Sequence, residues 1–156
     1  MRREQVHATT TTFAFEFFYW FSRFEFALKE NGFLKSKEIG SKAEPGWDEF
    51  VREFCGQYEP LPEAQFLLGN APSRQIIADG GSLTWSAVGL SDCRSNLAKV
   101  VRLLKTVRNN LFHGGKHGAD SWDDINRTHD LLKNGKLVLD QLSELGPLKG
   151  DYLCRY

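Results

Sequence analysis

Hydrophobic residues recur every three or four positions in the second half of the chain, where they predict a long amphipathic helix. This spacing places five apolar side chains on one buried face: Leu97, Val100, Leu104, Val107 and Leu111. Ser91 or Asp92 can cap the free N–H groups at the start of the helix. Gly114 and Gly115 end it, because glycine readily adopts the left-handed conformation that terminates a helix. The pattern therefore predicts a helix from about residue 91 to residue 113.

An aromatic segment nearer the N-terminus predicts a second long helix, from about Thr12 to Glu30. One face of this helix would be formed by Phe17, Trp20 (or Phe21), Phe24 and Leu28, and further apolar residues widen it: Phe13, Phe18, Tyr19 and Phe26. A helix that is apolar on most sides needs two packing partners. We expect one to be the helix over residues 91–113. The other is either a second subunit or the core of a monomer.

Shorter patterns predict the remaining elements. Residues 46–55 indicate a short helix with Trp47, Phe50, Val51 and Phe54 inward, and residues 63–68 indicate another. Residues 75–85 have β-like ends around an Asp-Gly-Gly turn, which favours a small hairpin. A last helix starts near residues 119–121, has a weak point or bend at Gly135 and ends at Gly146-Pro147. We interpret His129, on its apolar face, as a hydrogen-bonded packing residue.

Together these elements predict an all-α bundle of four to five helices with a small irregular or hairpin insertion. The length of 156 residues fits a single domain. Its core would cover residues from about 12 to 145, and residues 147–156 would form a C-terminal tail.

Composition narrows the possible environments. Twenty basic and twenty acidic side chains cancel, so no global field attracts the chain to nucleic acid or to a membrane, and any polyanion site has to be local. The three cysteines lack metal-type spacing, and their odd number argues against a disulfide framework. A reducing cytoplasm fits this usage. The aromatic run over residues 13–21 is too short and too interrupted by charge to span a membrane.

The polar face of the helix over residues 91–113 carries the candidate chemistry. Arg102, Lys105, Asn109 and His113 recur at helical spacing, with Arg108 beside them. A phosphate fits between such groups, because arginine offers a planar fork of donors, asparagine a neutral donor and histidine a proton exchanger near neutral pH. A surface role is the alternative. An arginine on a polar face is usually solvated, and a histidine in the last turn often only complements the helix dipole.

Four features of this stretch resemble the Arg/His motif of the HEPN superfamily: Arg108-Asn109, the four residues between Arg108 and His113, the position at the end of a long helix, and Gly114 after the histidine. A second stretch, residues 23–33, is similar to the first helix of bacterial HEPN proteins. The resemblance covers residues from about 12 to 145. In the family's toxins that pair with a nucleotidyltransferase antitoxin, a tyrosine follows two residues after the histidine. Gly115 stands there in this chain, so that form of control is not expected.

The resemblance implies a metal-independent endoribonuclease that needs no cofactor and leaves 2′,3′-cyclic phosphate and 5′-hydroxyl ends, in toxin, defence or RNA-processing roles. His113 would be the general base on the ribose 2′-hydroxyl or the acid on the leaving 5′-oxygen. Arg108 would stabilise the charge of the transition state, and Asn109 would position the phosphate or His113. DNA lacks the 2′-hydroxyl, so only RNA would be cleaved.

Other residues near this motif are candidates for substrate binding. Lys105 lies on the same polar face, and Lys116 and His117 follow in a basic loop where they could contact phosphates. Glu25, on the first helix, could orient Arg108, as an acidic or polar residue of the first helix often does in the resembled family. A pair with Lys29, one turn further on, is the alternative for Glu25.

The resemblance also implies partners. The substrate would be RNA, and a homodimer would bring two motifs into one cleft, which matters because a single histidine serves poorly as both base and acid. An antitoxin or other regulatory protein is a possible further partner, and no membrane is expected. Two alternatives remain: a non-catalytic HEPN-like module that binds RNA, a nucleotide or a protein, and a plain helical scaffold in which Arg108 and His113 are surface residues.

Overall fold

Helices dominate the structure, a computed structural model that describes residues 8–113 and 125–154, with only the backbone of His113. Within these ranges it has six α-helices and two strands: α1 (Ala8–Glu30), α2 (Trp47–Phe54), α3 (Pro62–Gly69), β1 (Ser73–Ile77), β2 (Leu83–Ala87), α4 (Asn96–His113), α5 (Ile125–Ser143) and α6 (Lys149–Leu153). The predicted helical class with a hairpin insertion is therefore confirmed. The described part of the chain has one helix more than the upper limit of four to five. None of its helices is long and apolar enough to cross a membrane.

The first helix begins at Ala8, earlier than expected, and ends at Glu30 as the sequence predicts. Its end is closed by two hydrogen bonds of a Schellman motif, from Phe33 N–H to the Leu28 carbonyl at 2.9 Å and from Gly32 N–H to the Lys29 carbonyl at 3.1 Å. Gly32 has a φ of 79°, which a residue with a side chain adopts only at a cost. Local sequence thus fixes this boundary.

The buried face of α1 confirms the predicted pattern and selects Phe21 over Trp20: Phe17, Phe21, Phe24 and Leu28 are buried, whereas Trp20 is half-buried. This face packs chiefly against α5 and α6. The prediction that α4 is one of its packing partners is confirmed, although this contact is small, because α2 and α3 cover much of the apolar face of α4.

At Gly135, α1 and α5 approach each other closely. A Cβ atom at this position would lie 2.7 Å from Cε2 of Phe17. The α5 helix continues through Gly135 without interruption, so Gly135 does not end or divide it. His129, two turns earlier on α5, shares a 2.7 Å hydrogen bond between its Nε2 and Oγ1 of Thr10, and its ring meets the edge of Phe13. Its predicted role as a packing residue is confirmed.

The predicted C-terminal tail is instead part of the core. Leu148 and Tyr152 are fully buried, and the Tyr152 hydroxyl donates a hydrogen bond to Oδ1 of Asp140 at 2.8 Å. Arg23, which is itself buried in α1, donates to the carbonyl oxygens of Asp151 and Tyr152. The tail prediction failed because a five-residue helix is too short to show a periodic pattern.

The central helix α4 starts at Asn96, later than the predicted Ser91 or Asp92. Ser95 provides the cap, since its Oγ accepts a hydrogen bond from Ala98 N–H at 3.1 Å. Four of the five predicted stripe residues are buried and Leu111 is partly buried. The expected start of the last helix near residues 119–121 lies outside the described residues.

The hairpin insertion is confirmed. Strands β1 and β2 pair antiparallel from Ser73–Ala87 to Ile77–Leu83, and the turn between them contains Gly80 and Gly81 with positive φ. Asn110 on α4 donates a hydrogen bond from Nδ2 to the carbonyl of Ser73 at 2.8 Å. This bond holds the base of the hairpin against the central helix.

Candidate active site

The last turns of α4 bring together the two central residues of the candidate site that are described with their side chains. Nη1 of Arg108 donates a hydrogen bond to Oδ1 of Asn109 at 2.9 Å. Asn109 is exposed, and Arg108 is half-buried. Position 113 follows Asn109 by one helical turn in the backbone of α4.

Aromatic rings support the guanidinium of Arg108. Its central carbon lies 5.8 Å from the ring centroid of Phe21 and 5.4 Å from that of Phe112, distances at which a cation is attracted by a ring. Phe21 belongs to the buried face of α1, so the site is anchored to the first helix through this ring. Within residues 8–113 and 125–154, Arg108 makes no ion pair with a carboxylate. Its remaining N–H groups are thus not engaged by an acid of the described chain.

Glu25 does not orient Arg108, contrary to expectation. Oε1 of Glu25 accepts a hydrogen bond from the indole N–H of Trp47 at 3.0 Å. Trp47 is buried and stacks on Phe24, and a buried indole needs an acceptor for its single donor. The ion pairs of the described residues include none from Glu25 to Arg108 or to Lys29. Glu25 therefore has a structural role, as the hydrogen-bond acceptor of the buried Trp47 indole.

Of the other predicted binding residues, Lys105 is the one that the structure places beside Asn109. Lys105 is exposed one turn before Asn109, and both side chains line an open groove of about 1150 Å³. Lys116 and His117 lie outside the described residues.

Three arginines of the same groove were missed by sequence reasoning. Arg52 comes from α2, Arg74 from β1 and Arg94 from the segment that precedes α4. They are far apart along the chain and belong to no common pattern. Only the folded arrangement of α2, the hairpin and α4 brings them together.

An exposed aromatic surface adjoins Arg108. We define the aromatic patch as Phe15, Phe18, Tyr19 and Phe112. The rings of Phe18 and Phe112 are 5.5 Å apart, and those of Phe15 and Tyr19 are stacked at 6.2 Å. Phe15 is 67% exposed and Phe112 61% exposed. Because large apolar side chains rarely cluster on a free surface, this patch is a candidate for contact with another protein surface.

Groups that could hold a metal ion were also sought. Throughout the described ranges, no three His, Cys, Asp or Glu side chains are arranged to do so.

Known proteins supply no roles for these residues. The chain matches no protein-family model, and comparisons with curated proteins and with solved structures find no match. The candidate function consequently rests on the site itself and on the resemblance of its sequence pattern.

Proposed function

We propose that the end of α4 is the active site of a metal-independent endoribonuclease of the HEPN type. One observation carries this proposal: the Arg108 guanidinium is hydrogen-bonded to the neutral Asn109 and makes no ion pair with a carboxylate of the described chain. A guanidinium has five N–H donors. Because no carboxylate of the described chain competes for these donors, they are available for a phosphate, which a guanidinium can bind through two parallel N–H···O bonds.

The proposed reaction is an internal transesterification of RNA. A basic group, His113 of one subunit, removes the proton of the ribose 2′-hydroxyl, and the 2′-oxygen forms a bond to phosphorus. The bond from phosphorus to the 5′-oxygen breaks, and that oxygen takes a proton from an acidic group. Arg108 stabilises the negative charge that builds up on the phosphoryl oxygens. The products are a 2′,3′-cyclic phosphate and a 5′-hydroxyl, and no water is consumed.

The reaction needs a base and an acid, which supports a homodimer with a composite site. The aromatic patch is the surface that we assign to the dimer contact. It includes Phe112, whose ring also supports Arg108, so a second copy docked on the patch would bring its own α4 close to this arginine. Each subunit would then supply one histidine to a shared cleft.

Cleavage of a mixed RNA pool in EDTA tests the proposal. We expect the wild type to produce cyclic-phosphate ends and the Arg108→Ala/His113→Ala double variant to produce none. Arg108→Lys is the matched variant, because it keeps the positive charge but loses the planar set of N–H donors of the guanidinium. It should retain part of the activity. Equal cleavage by the wild type and the double variant would refute the assignment. Intact RNA with a folded, dimeric wild type would favour a non-catalytic binding module.

A further inference from the structure

A groove with many positive side chains runs along α4 toward the candidate active site. Its walls are α2, Arg74 of β1 and residues 88–95, and α4 forms its floor. The α4 side chains in the groove are spaced by three or four residues from Ala98 to Asn109, so they lie on one helix face. The next position on this face is 113. The groove therefore leads along the helix to the proposed catalytic turn.

The charge of the groove departs from that of the whole chain. Five cationic side chains line it: Arg52, Arg74, Arg94, Arg102 and Lys105. The acids among its lining residues are Asp48 and Asp92. Since the complete sequence has equal numbers of basic and acidic residues, the groove is a local concentration of positive charge, and such a surface attracts polyanions.

Most of this charge is not neutralised by neighbouring acids. Arg102 is paired, because it donates to both carboxylate oxygens of Asp92, with 2.8 Å between Nη2 and Oδ2. This hydrogen bond holds the pKa of Asp92 down at about 2, and the charge of Arg74 contributes to the shift. The other four cations make no ion pair with a carboxylate of the described residues. They have donors available for a ligand.

The lining indicates what kind of ligand fits. Pockets for small molecules are mostly apolar and enclose about 300–1,000 Å³, whereas this groove is larger and rich in arginine. Guanidinium groups match phosphate geometry. The groove residues that the structure describes include no Phe, Tyr or Trp, so bases have no ring on which to stack. The contacts that these cations can make are therefore to the phosphodiester backbone, which carries no sequence information.

We infer that this groove binds the phosphodiester backbone of an RNA strand and directs it to Arg108, an inference that rests on the proposed function. Arg52, Arg74, Arg94 and Lys105 contact phosphates, and Asn109 marks the junction with the catalytic turn. Because these contacts are to phosphates, RNA strands of different sequence bind the groove with similar affinity. Single-stranded DNA also binds, and the restriction to RNA arises at the chemical step, which needs the 2′-hydroxyl.

Binding of a fluorescent single-stranded RNA to the His113→Ala protein tests the inference without interference from cleavage. With four phosphates neutralised, the logarithm of the affinity should fall with the logarithm of salt concentration with a slope of about −3. In the His113→Ala protein, the additional change Arg74→Ala/Arg94→Ala should weaken RNA binding about tenfold, because each exposed charge contact contributes about two- to fivefold. The salt slope of this variant should be shallower by about 1.4 than that of the His113→Ala protein.

Two further variants of the His113→Ala protein distinguish an effect of the groove from a general effect of charge or folding. Lys133→Ala removes one positive charge outside the groove, on α5, where Lys133 contacts the ring of Phe13, and should bind RNA like its parent. Asp92→Asn releases Arg102 into the groove and should tighten binding about two- to fivefold. This gain cannot result from loss of folding. Unchanged affinity in both Arg74→Ala/Arg94→Ala and Asp92→Asn would overturn the groove assignment.

The two proposals fail in different ways. If the catalytic protein cleaves RNA and Arg74→Ala/Arg94→Ala leaves KM unchanged, the groove assignment is wrong and the nuclease assignment stands. If the wild type does not cleave RNA, but Arg74→Ala/Arg94→Ala weakens RNA binding and Asp92→Asn tightens it, the groove assignment stands and the nuclease assignment is wrong. A raised KM with unchanged kcat in the double variant supports both.

Discussion

The guanidinium of Arg108 and the side-chain oxygen of Asn109 are joined by a 2.9 Å hydrogen bond between consecutive residues of α4. Consecutive residues of a helix do not face each other, so both side chains have to turn toward one another to meet. Phe21 and Phe112 support the arginine in this orientation. The contact therefore combines local hydrogen bonding with the packing of α1 against the end of α4.

This geometry predicts a specific response to a negative charge at position 109. Asn109→Asp would convert the neutral acceptor into a carboxylate that competes with phosphate for Arg108. We expect a loss of tenfold or more in kcat/KM for RNA cleavage, which corresponds to about 1.4 kcal/mol of transition-state stabilisation. Asn70→Asp makes the same change on the exposed end of α3 and should cleave normally. An Asn109→Asp protein with wild-type kcat/KM would exclude Asn109 from the site.

The aromatic patch predicts that a charge at its exposed edge prevents dimerisation. We expect Phe15→Arg to shift the protein from dimer to monomer in light scattering and to abolish cleavage, since a desolvated arginine in an apolar contact is costly. Ile39→Arg is the matched control, because Ile39 is fully exposed outside the patch. A Phe15→Arg protein that is still dimeric would place the interface elsewhere.

The close approach at Gly135 predicts a loss of stability on adding one methyl group. In Gly135→Ala, the new Cβ would meet the fully buried ring of Phe17 at 2.7 Å, and overpacking of this kind costs about 1–3 kcal/mol. Gly150→Ala is the control, because Gly150 lies in α6 with no atom near its virtual Cβ. It should be stabilised by about 0.5–1 kcal/mol. Urea unfolding of both variants measures the contrast, and equal stabilities would contradict it.

Tyr58 predicts a stability change that depends on alkaline pH. Its hydroxyl is buried without a hydrogen-bond partner in the described structure, and burial raises its pKa to about 12. Tyr58→Phe removes an unsatisfied polar atom and should stabilise the protein at neutral pH by about 1 kcal/mol.

The sign of the pH effect follows from linkage. Below about pH 10, Tyr58 is neutral in both the folded and the unfolded chain. Between about pH 10 and 12 the unfolded chain releases the proton while the folded protein retains it, so the free energy of unfolding falls as pH rises. The advantage of Tyr58→Phe over the wild type should therefore grow over this window in urea titrations. A constant difference would mean that the hydroxyl is hydrated.

The sequence was a good guide wherever local chemistry decides the structure. The three-and-four spacing from Leu97 to Val107 predicts the buried face of α4, and Gly32 ends α1 where expected. It was a poor guide where several residues compete for one role. Ser91, Asp92 and Ser95 are all suitable caps, and the ion pair of Asp92 with Arg102 leaves Ser95 as the cap in the folded chain.

In the candidate site too, local features could be predicted from the sequence and tertiary contacts could not. Arg108 and Asn109 are neighbours in the sequence, and their proximity could be predicted. The resemblance suggested that Glu25 could orient Arg108, with a pair to Lys29 as the alternative, but Glu25 accepts a hydrogen bond from the buried indole of Trp47 instead. Arg74 reaches the groove through the docking of the hairpin on α4, a tertiary event that no local pattern encodes.

The position of Tyr152 in the core has a consequence for synthesis of the protein in a cell. Its ring contacts Trp20 and Phe24 of α1, so these side chains leave the ribosome long before their cover exists. Translation adds about 5–20 residues per second, and throughout this delay the sides of these two rings that Tyr152 covers are open to chaperones and to other nascent chains. Complete burial of Trp20 and Phe24 thus waits for a residue made more than a hundred codons later.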